Sequence, residues 1–161
     1  MTTINPALHT WAIREAKEEK WDRWFLGLAQ YVSTASKDPS TKVGAVVVAA
    51  DDRRKVAWGY NGFPPGIKDD DRLSDRSMKY DLMLHAERNA LDNATFDVRG
   101  GTLYCTLHPC KDCALSIASR RIARVVCPPL PPIEKGRWTE ELPMAQKLLE
   151  EAGIQVSIVD G

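Results

Sequence analysis

His85 and Glu87 stand two apart, and further along Pro109 precedes Cys110 and Cys113. A histidine and two thiols are the donors of a zinc site with three protein ligands and one position left for chemistry. In this reading His85, Cys110 and Cys113 bind one Zn2+ per chain, and water is the fourth ligand. Zinc lowers the pKa of bound water toward about 7. Glu87 is then the catalytic carboxylate, moving protons without binding the metal.

Each piece taken alone has other readings. His-x-Glu arises by chance on helix surfaces, and a lone Cys-x-x-Cys divides among a redox motif, half of a structural zinc knuckle and coincidence. A knuckle needs a second pair at similar spacing, and Cys105, Cys127, His9 and His108 form none. A redox motif gives His85 and Glu87 no role. Together the four residues favour the catalytic site. Cys105 and Cys127 end separate β-type runs and read as ordinary buried thiols. In a reducing compartment metal binding or burial is the better use of all four cysteines than disulfides.

The spacing also says which elements must carry the site. Residues two apart in mid-helix point to different sides. In a first helical turn both can splay around the end of the axis, where free N–H groups also lie. Cys110 and Cys113 suit a first turn after Pro109, whose positive end favours thiolates. Two helix starts meeting over a sheet would gather the set.

The periodicity supplies such elements. Thr10 to Ala35 reads as an amphipathic helix with Trp21, Trp24, Phe25, Leu28 and Tyr31 as its apolar stripe. Val43 to Ala49 is a continuous apolar run suited to a strand covered on both faces. Asp51 to Arg54 is a charged turn, and Lys55 to Gly59 returns as the second strand of a hairpin. Asn61 to Asp81 reads as a loop, part of it the rim or lid of the site. Then come a helix over Leu84 to Ala94, a strand over Thr102 to Leu107, a helix over Cys110 to Ser119, a strand over Arg124 to Cys127 and an extended connector at Pro128 to Pro132. Trp138 to Ala152 is a helix stopped by Gly153, and Ile154 to Val159 is the last strand. The alternation predicts an α/β fold, a sheet sandwiched by helices.

With 161 residues the chain is expected to be one domain. Lys plus Arg and Asp plus Glu each number 22, so no bulk positive field gathers nucleic acid polymers, and a small-molecule substrate is favoured. No apolar run reaches the roughly 20 residues of a membrane span, and the start lacks a signal-peptide layout, so a cytoplasmic protein is expected.

At these motifs the chain resembles the zinc-dependent cytidine and deoxycytidylate deaminase superfamily, most closely the dCMP deaminases. Ser36 to Ala45, Gly59 to Pro64, His85 to Ala90 and Leu103 to Leu107 look like that family's segments in the same order, and the likeness covers roughly residues 20 to 127. The resemblance implies a three-layer α/β/α sandwich with a five-stranded mixed sheet. It implies hydrolysis of dCMP to dUMP and ammonia, with Glu87 passing a proton from water to the ring and another to the departing amine. It also implies that Asn61 binds the sugar and makes Ser36, Lys37 and Lys42 candidates for the substrate phosphate. Two other readings stay open: the lysines as a solvated turn, and Asn61-Gly62 as a turn pair.

Two departures stand out. His108 occupies the position before Pro109 where dCMP deaminases commonly carry Phe; it reads either as a rim residue that alters the fit around the base or as a partly exposed bystander, and is not counted as a ligand. Met83 and the cysteine-free first half cannot build the second, structural zinc of some family members. Trp21 and Trp24 could serve either core packing or a subunit interface, and a homo-oligomer, dimer or hexamer, is expected from the family. The alternatives are deamination of another small aminated base or nucleoside such as cytidine or guanine, or of adenosine in transfer RNA, and a noncatalytic zinc-stabilised module.

Overall fold

The computed structural model describes residues 6–129 and 138–160. Five strands form one mixed sheet: β1 (Gly44–Val48), β2 (Val56–Tyr60), β3 (Thr102–Cys105), β4 (Arg124–Cys127) and β5 (Gln155–Ile158). Their order is β2-β1-β3-β4-β5, with β1 antiparallel to both neighbours and β3, β4 and β5 parallel. The helices are α1 (Pro6–Ser33), α2 (Arg76–Leu82), α3 (Ala86–Asn93), α4 (Lys111–Ser119) and α5 (Trp138–Glu151). No helix among the described residues is long and apolar enough to cross a membrane.

Every residue of β1 is buried, as its unbroken apolar run requires. Alternation then assigns the faces. Ala45, Val47, Leu103, Cys105, Val125 and Cys127 pack with Ala86, Ala90, Leu91, Ala114, Ile117, Ala145 and Leu149 from α3, α4 and α5. Val46, Val48, Tyr104 and Val126 point the other way onto Phe25, Leu26, Ala29 and Val32 of α1. The result is the three-layer α/β/α sandwich, with Cys105 and Cys127 as buried core thiols.

The stripe of α1 is rotated from the expected one. Phe25, Ala29 and Val32 face the sheet, whereas Trp24 and Tyr31 are 55% and 76% exposed. Asp22 explains the rotation. Its carboxylate accepts bidentate bonds from Arg124 Nη1 and Nη2 at 2.8 and 2.7 Å and one from Tyr104 Oη at 3.0 Å, tying α1 to β4 and β3. A polar residue therefore belongs to the buried face, where hydropathy alone would not place it.

The stretch expected as loop, 61–81, also needs correction. It contains a 3-10 turn at Asp71–Leu73 and nearly all of α2. Asp70 accepts from the Arg72 N–H and Asp75 from the Met78 N–H, so two aspartates in a charged run act as N-caps. The other elements fall within a few residues of expectation, and Gly153 stops α5 at φ 71°. Pro128 and Pro129 belong to no helix or strand; the rest of the proposed connector, 130–132, lies outside the described residues.

Candidate active site

α3 is fastened to the edge strand β2 by side-chain amides. Asn89 Nδ2 donates to the Tyr60 carbonyl at 2.9 Å and Asn93 Nδ2 to the Trp58 carbonyl at 3.0 Å. An antiparallel bridge between Gly62 and Leu84 fixes the chain just before the helix. His85 is the N-cap of α3, with extended φ and ψ of −72° and 149°, and Glu87 lies in the first turn.

α4 begins in the same manner. Cys110 is its N-cap, with φ −75° and ψ 173°, and Cys113 sits in the first turn. Neither His85 nor Cys110 caps its own helix with its side chain. Instead His85 Nδ1 lies 3.4 Å from Cys110 Sγ and 3.3 Å from Cys113 Sγ. The three donor atoms all lie within 4.8 Å of one another. Zinc bonds of about 2.3 Å to sulfur and 2.0 Å to nitrogen at a tetrahedral angle place S and N about 3.5 Å apart. The donor set and its spacing fit a zinc ion. Among the described residues this is the one cluster of three or more metal-ligating side chains.

The two thiols are electrostatically unequal. A hydrogen bond from the Cys113 thiol pulls the pKa of Cys110 down to about 4, with help from His85 and against burial. Cys113, the donor of that bond, is buried beside Glu87 and is pushed up. Burial likewise raises Glu87, 4% exposed, against the opposing pull of His85. Burial thus favours the protonated carboxyl more than water would, the direction required of a group that must both take and return a proton.

His85, Glu87 and Cys110 border a cavity of 270 Å³. Its other walls are apolar side chains such as Val43, Met83, Leu107 and Leu142, together with a polar group of Asp38, Ser40, Asn61 and Lys79. A largely apolar chamber with a few converging polar groups is the usual build of a small-molecule site. His108, 8% exposed, is part of the wall. Its Nδ1–H donates to the Pro109 carbonyl at 3.0 Å and burial lowers its pKa. It stays outside the ligand cluster.

The expected substrate contacts divide. Asn61 borders the cavity, where its Oδ1 accepts from the Val43 N–H at 2.7 Å and its Nδ2 donates to the Thr41 carbonyl and to Asp38. Ser36, Lys37 and Lys42 do not border it. The Ser36 hydroxyl is buried and donates to the Asn61 carbonyl, and Lys37 is drawn outward by its ion pair with Asp69. The cavity takes its cation instead from Lys79 of α2. A loop reading of 61–81 hid that residue, and the Asp75 cap was the signal for the helix that carries it.

Residues 19–128 match the family model described as the cytidine and deoxycytidylate deaminase zinc-binding region. The chain is 38% identical over 138 residues to an uncharacterized deaminase in the luxG 3′ region of Aliivibrio fischeri, covering 86% of this chain and 92% of that one. It is 34% identical to the deoxycytidylate deaminase of Mus musculus, with 84% and 77% covered. A crystal structure of dCMP deaminase from the cyanophage S-TIM5, in complex with dCMP and dUMP, superposes with a TM-score of 0.65 at 25% identity, covering 97% of this chain and 99% of that one. The matched span holds both helix starts and all four residues that meet at them. The chain therefore belongs to the cytidine and deoxycytidylate deaminase family, and zinc is the metal its three donors are built for.

Proposed function

We propose that this chain is a zinc-dependent hydrolase that converts dCMP and water to dUMP and ammonia. The observation that carries the reading is the convergence of His85, Cys110 and Cys113 beside a buried Glu87 at one cavity. Likeness to deoxycytidylate deaminases on both sequence and fold supports the choice of dCMP.

His85, Cys110 and Cys113 would hold the ion. When bound, zinc supplies Lewis acidity that makes water a usable nucleophile at neutral pH. Glu87 does the proton work. Its carboxylate takes a proton from the attacking water and delivers it to the ring nitrogen next to C4; it then takes the proton of the new C4 hydroxyl and passes it to the amino group, which leaves as ammonia while the hydroxyl becomes the carbonyl. Asn61 holds the loop 38–43 against the cavity through its bonds to Val43, Thr41 and Asp38. The chain acts as one deaminase domain over residues 1–161, on a free nucleotide in the cytoplasm, as part of a homo-oligomer.

Zinc-loaded protein is expected to release ammonia from dCMP faster than from CMP, cytidine, dCTP or guanine. Glu87→Gln is expected to keep its zinc while turnover falls by roughly 10²–10⁴-fold. Failure to release ammonia from every one of these compounds refutes the enzyme, and an active Glu87→Gln refutes the proton shuttle.

A further inference from the structure

Among the described residues that border the cavity, Lys79 is the one lysine or arginine. It comes from α2, away from the loop where a phosphate contact was expected. Its side chain is 13% exposed. Nζ donates to Asp38 Oδ1 at 3.1 Å and to Ser40 Oγ. An ammonium has three donors, so one is left for a ligand.

Asp38 does not need Lys79 for satisfaction. Its Oδ1 already accepts from the Ser40 N–H at 2.8 Å, the Ser40 hydroxyl at 2.9 Å and the Thr41 N–H at 3.2 Å, and its Oδ2 accepts from Asn61 Nδ2 at 3.3 Å. The carboxylate is thereby rigid, and it holds the ammonium at the cavity wall. A long flexible lysine is costly to immobilise, at about 1.5–2 kcal/mol of rotamer entropy. Orienting it beforehand transfers that cost from binding to folding.

We propose that Lys79, oriented by Asp38 and Ser40, is the residue that selects a nucleoside monophosphate over a nucleoside by taking the phosphate of the substrate. The assignment rests on the dCMP deaminase reading above and names its selector. Lys37 and Lys42 lie outside the cavity and leave that task to α2.

The test is calorimetric binding of dUMP and deoxyuridine to zinc-loaded protein, in wild type, Lys79→Met, Lys79→Arg and Lys37→Met, beside a dCMP assay of the wild type. One charge-assisted hydrogen bond corresponds to roughly 10- to 100-fold in affinity. Lys79→Met is expected to lose that factor for dUMP while deoxyuridine binding changes by less than about threefold. Lys79→Arg should recover most of the loss, and Lys37→Met should bind dUMP like wild type. Equal losses on both ligands would reveal a merely structural lysine and overturn the proposal. So would undiminished dUMP binding in Lys79→Met, or the loss appearing in Lys37→Met. A wild type that deaminates dCMP while Lys79→Met keeps its dUMP affinity overturns the selector alone; a wild type inert toward dCMP overturns the function on which it rests.

Discussion

Gly59→Ala tests whether the site depends on how closely β2 and α3 approach. A Cβ at Gly59 would lie 2.3 Å from the Ala90 nitrogen, 2.6 Å from the Asn89 carbonyl carbon and 2.7 Å from Asn89 Cβ. Ordinary contact begins at 3.4 Å, so strand and helix must part by roughly 1 Å. Most of what the methyl meets is backbone, which cannot rotate away. The cost is expected at the upper end of overpacking, about 3 kcal/mol. The amide clamps from Asn89 and Asn93 to β2 would stretch, and His85 and Glu87 move with the start of α3. A displacement of about 1 Å at reacting groups costs about 10²-fold in rate. Urea unfolding, zinc content and ammonia release from dCMP would be measured in parallel. Gly27→Ala is the control: Gly27 lies in the interior of α1 with nothing within 4 Å of an added Cβ, so it should gain about 0.5–1 kcal/mol. Gly59→Ala protein within about 0.5 kcal/mol of wild type and fully active would refute the reasoning.

Asp22→Ala strands the Arg124 guanidinium and the Tyr104 hydroxyl under α1, and about 3 kcal/mol of stability should be lost in urea titrations while zinc stays bound. Burial pushes Asp38 up, but the Ser40 N–H and hydroxyl, the Thr41 N–H and Lys79 outweigh it and hold its carboxyl below the usual range. Its stabilising contribution is then complete above the unfolded value of about 4 and disappears as pH falls below that through the folded value. Urea midpoints should therefore fall more steeply on acidification in wild type than in Asp38→Asn. Cys110→Ser should bind far less zinc by metal analysis, and a chelator that lowers the melting temperature of wild type should leave this variant unmoved.

The convergence of His85, Glu87, Cys110 and Cys113 at one cavity was legible in the sequence because their constraint is local. A histidine and a carboxylate two apart, and two cysteines three apart after a proline, can serve one ion only from helix starts, and His85 and Cys110 are the N-caps that reasoning requires. The sheet was legible for a similar reason. The unbroken apolar run at Val43 to Ala49 depends on residues a few positions apart.

What the sequence left undecided depends on partners distant along the chain. The burial of Asp22 is set by Arg124, 102 residues away, so hydropathy turned the stripe of α1 toward Trp24 and Tyr31 when the sheet takes Phe25, Ala29 and Val32. Lys37, Lys42 and Lys79 look alike as letters in charged stretches. An exposed pair with Asp69 holds Lys37 off the cavity, while Asp38, 41 residues before Lys79, draws that lysine to its wall. The type of chemistry was thus determined by residue identities and spacings that act within one helical turn. Which lysine reaches the cavity wall was decided only in the tertiary structure, because a lysine's reach exceeds what sequence position can constrain and its direction is set by the carboxylate the fold puts beside it.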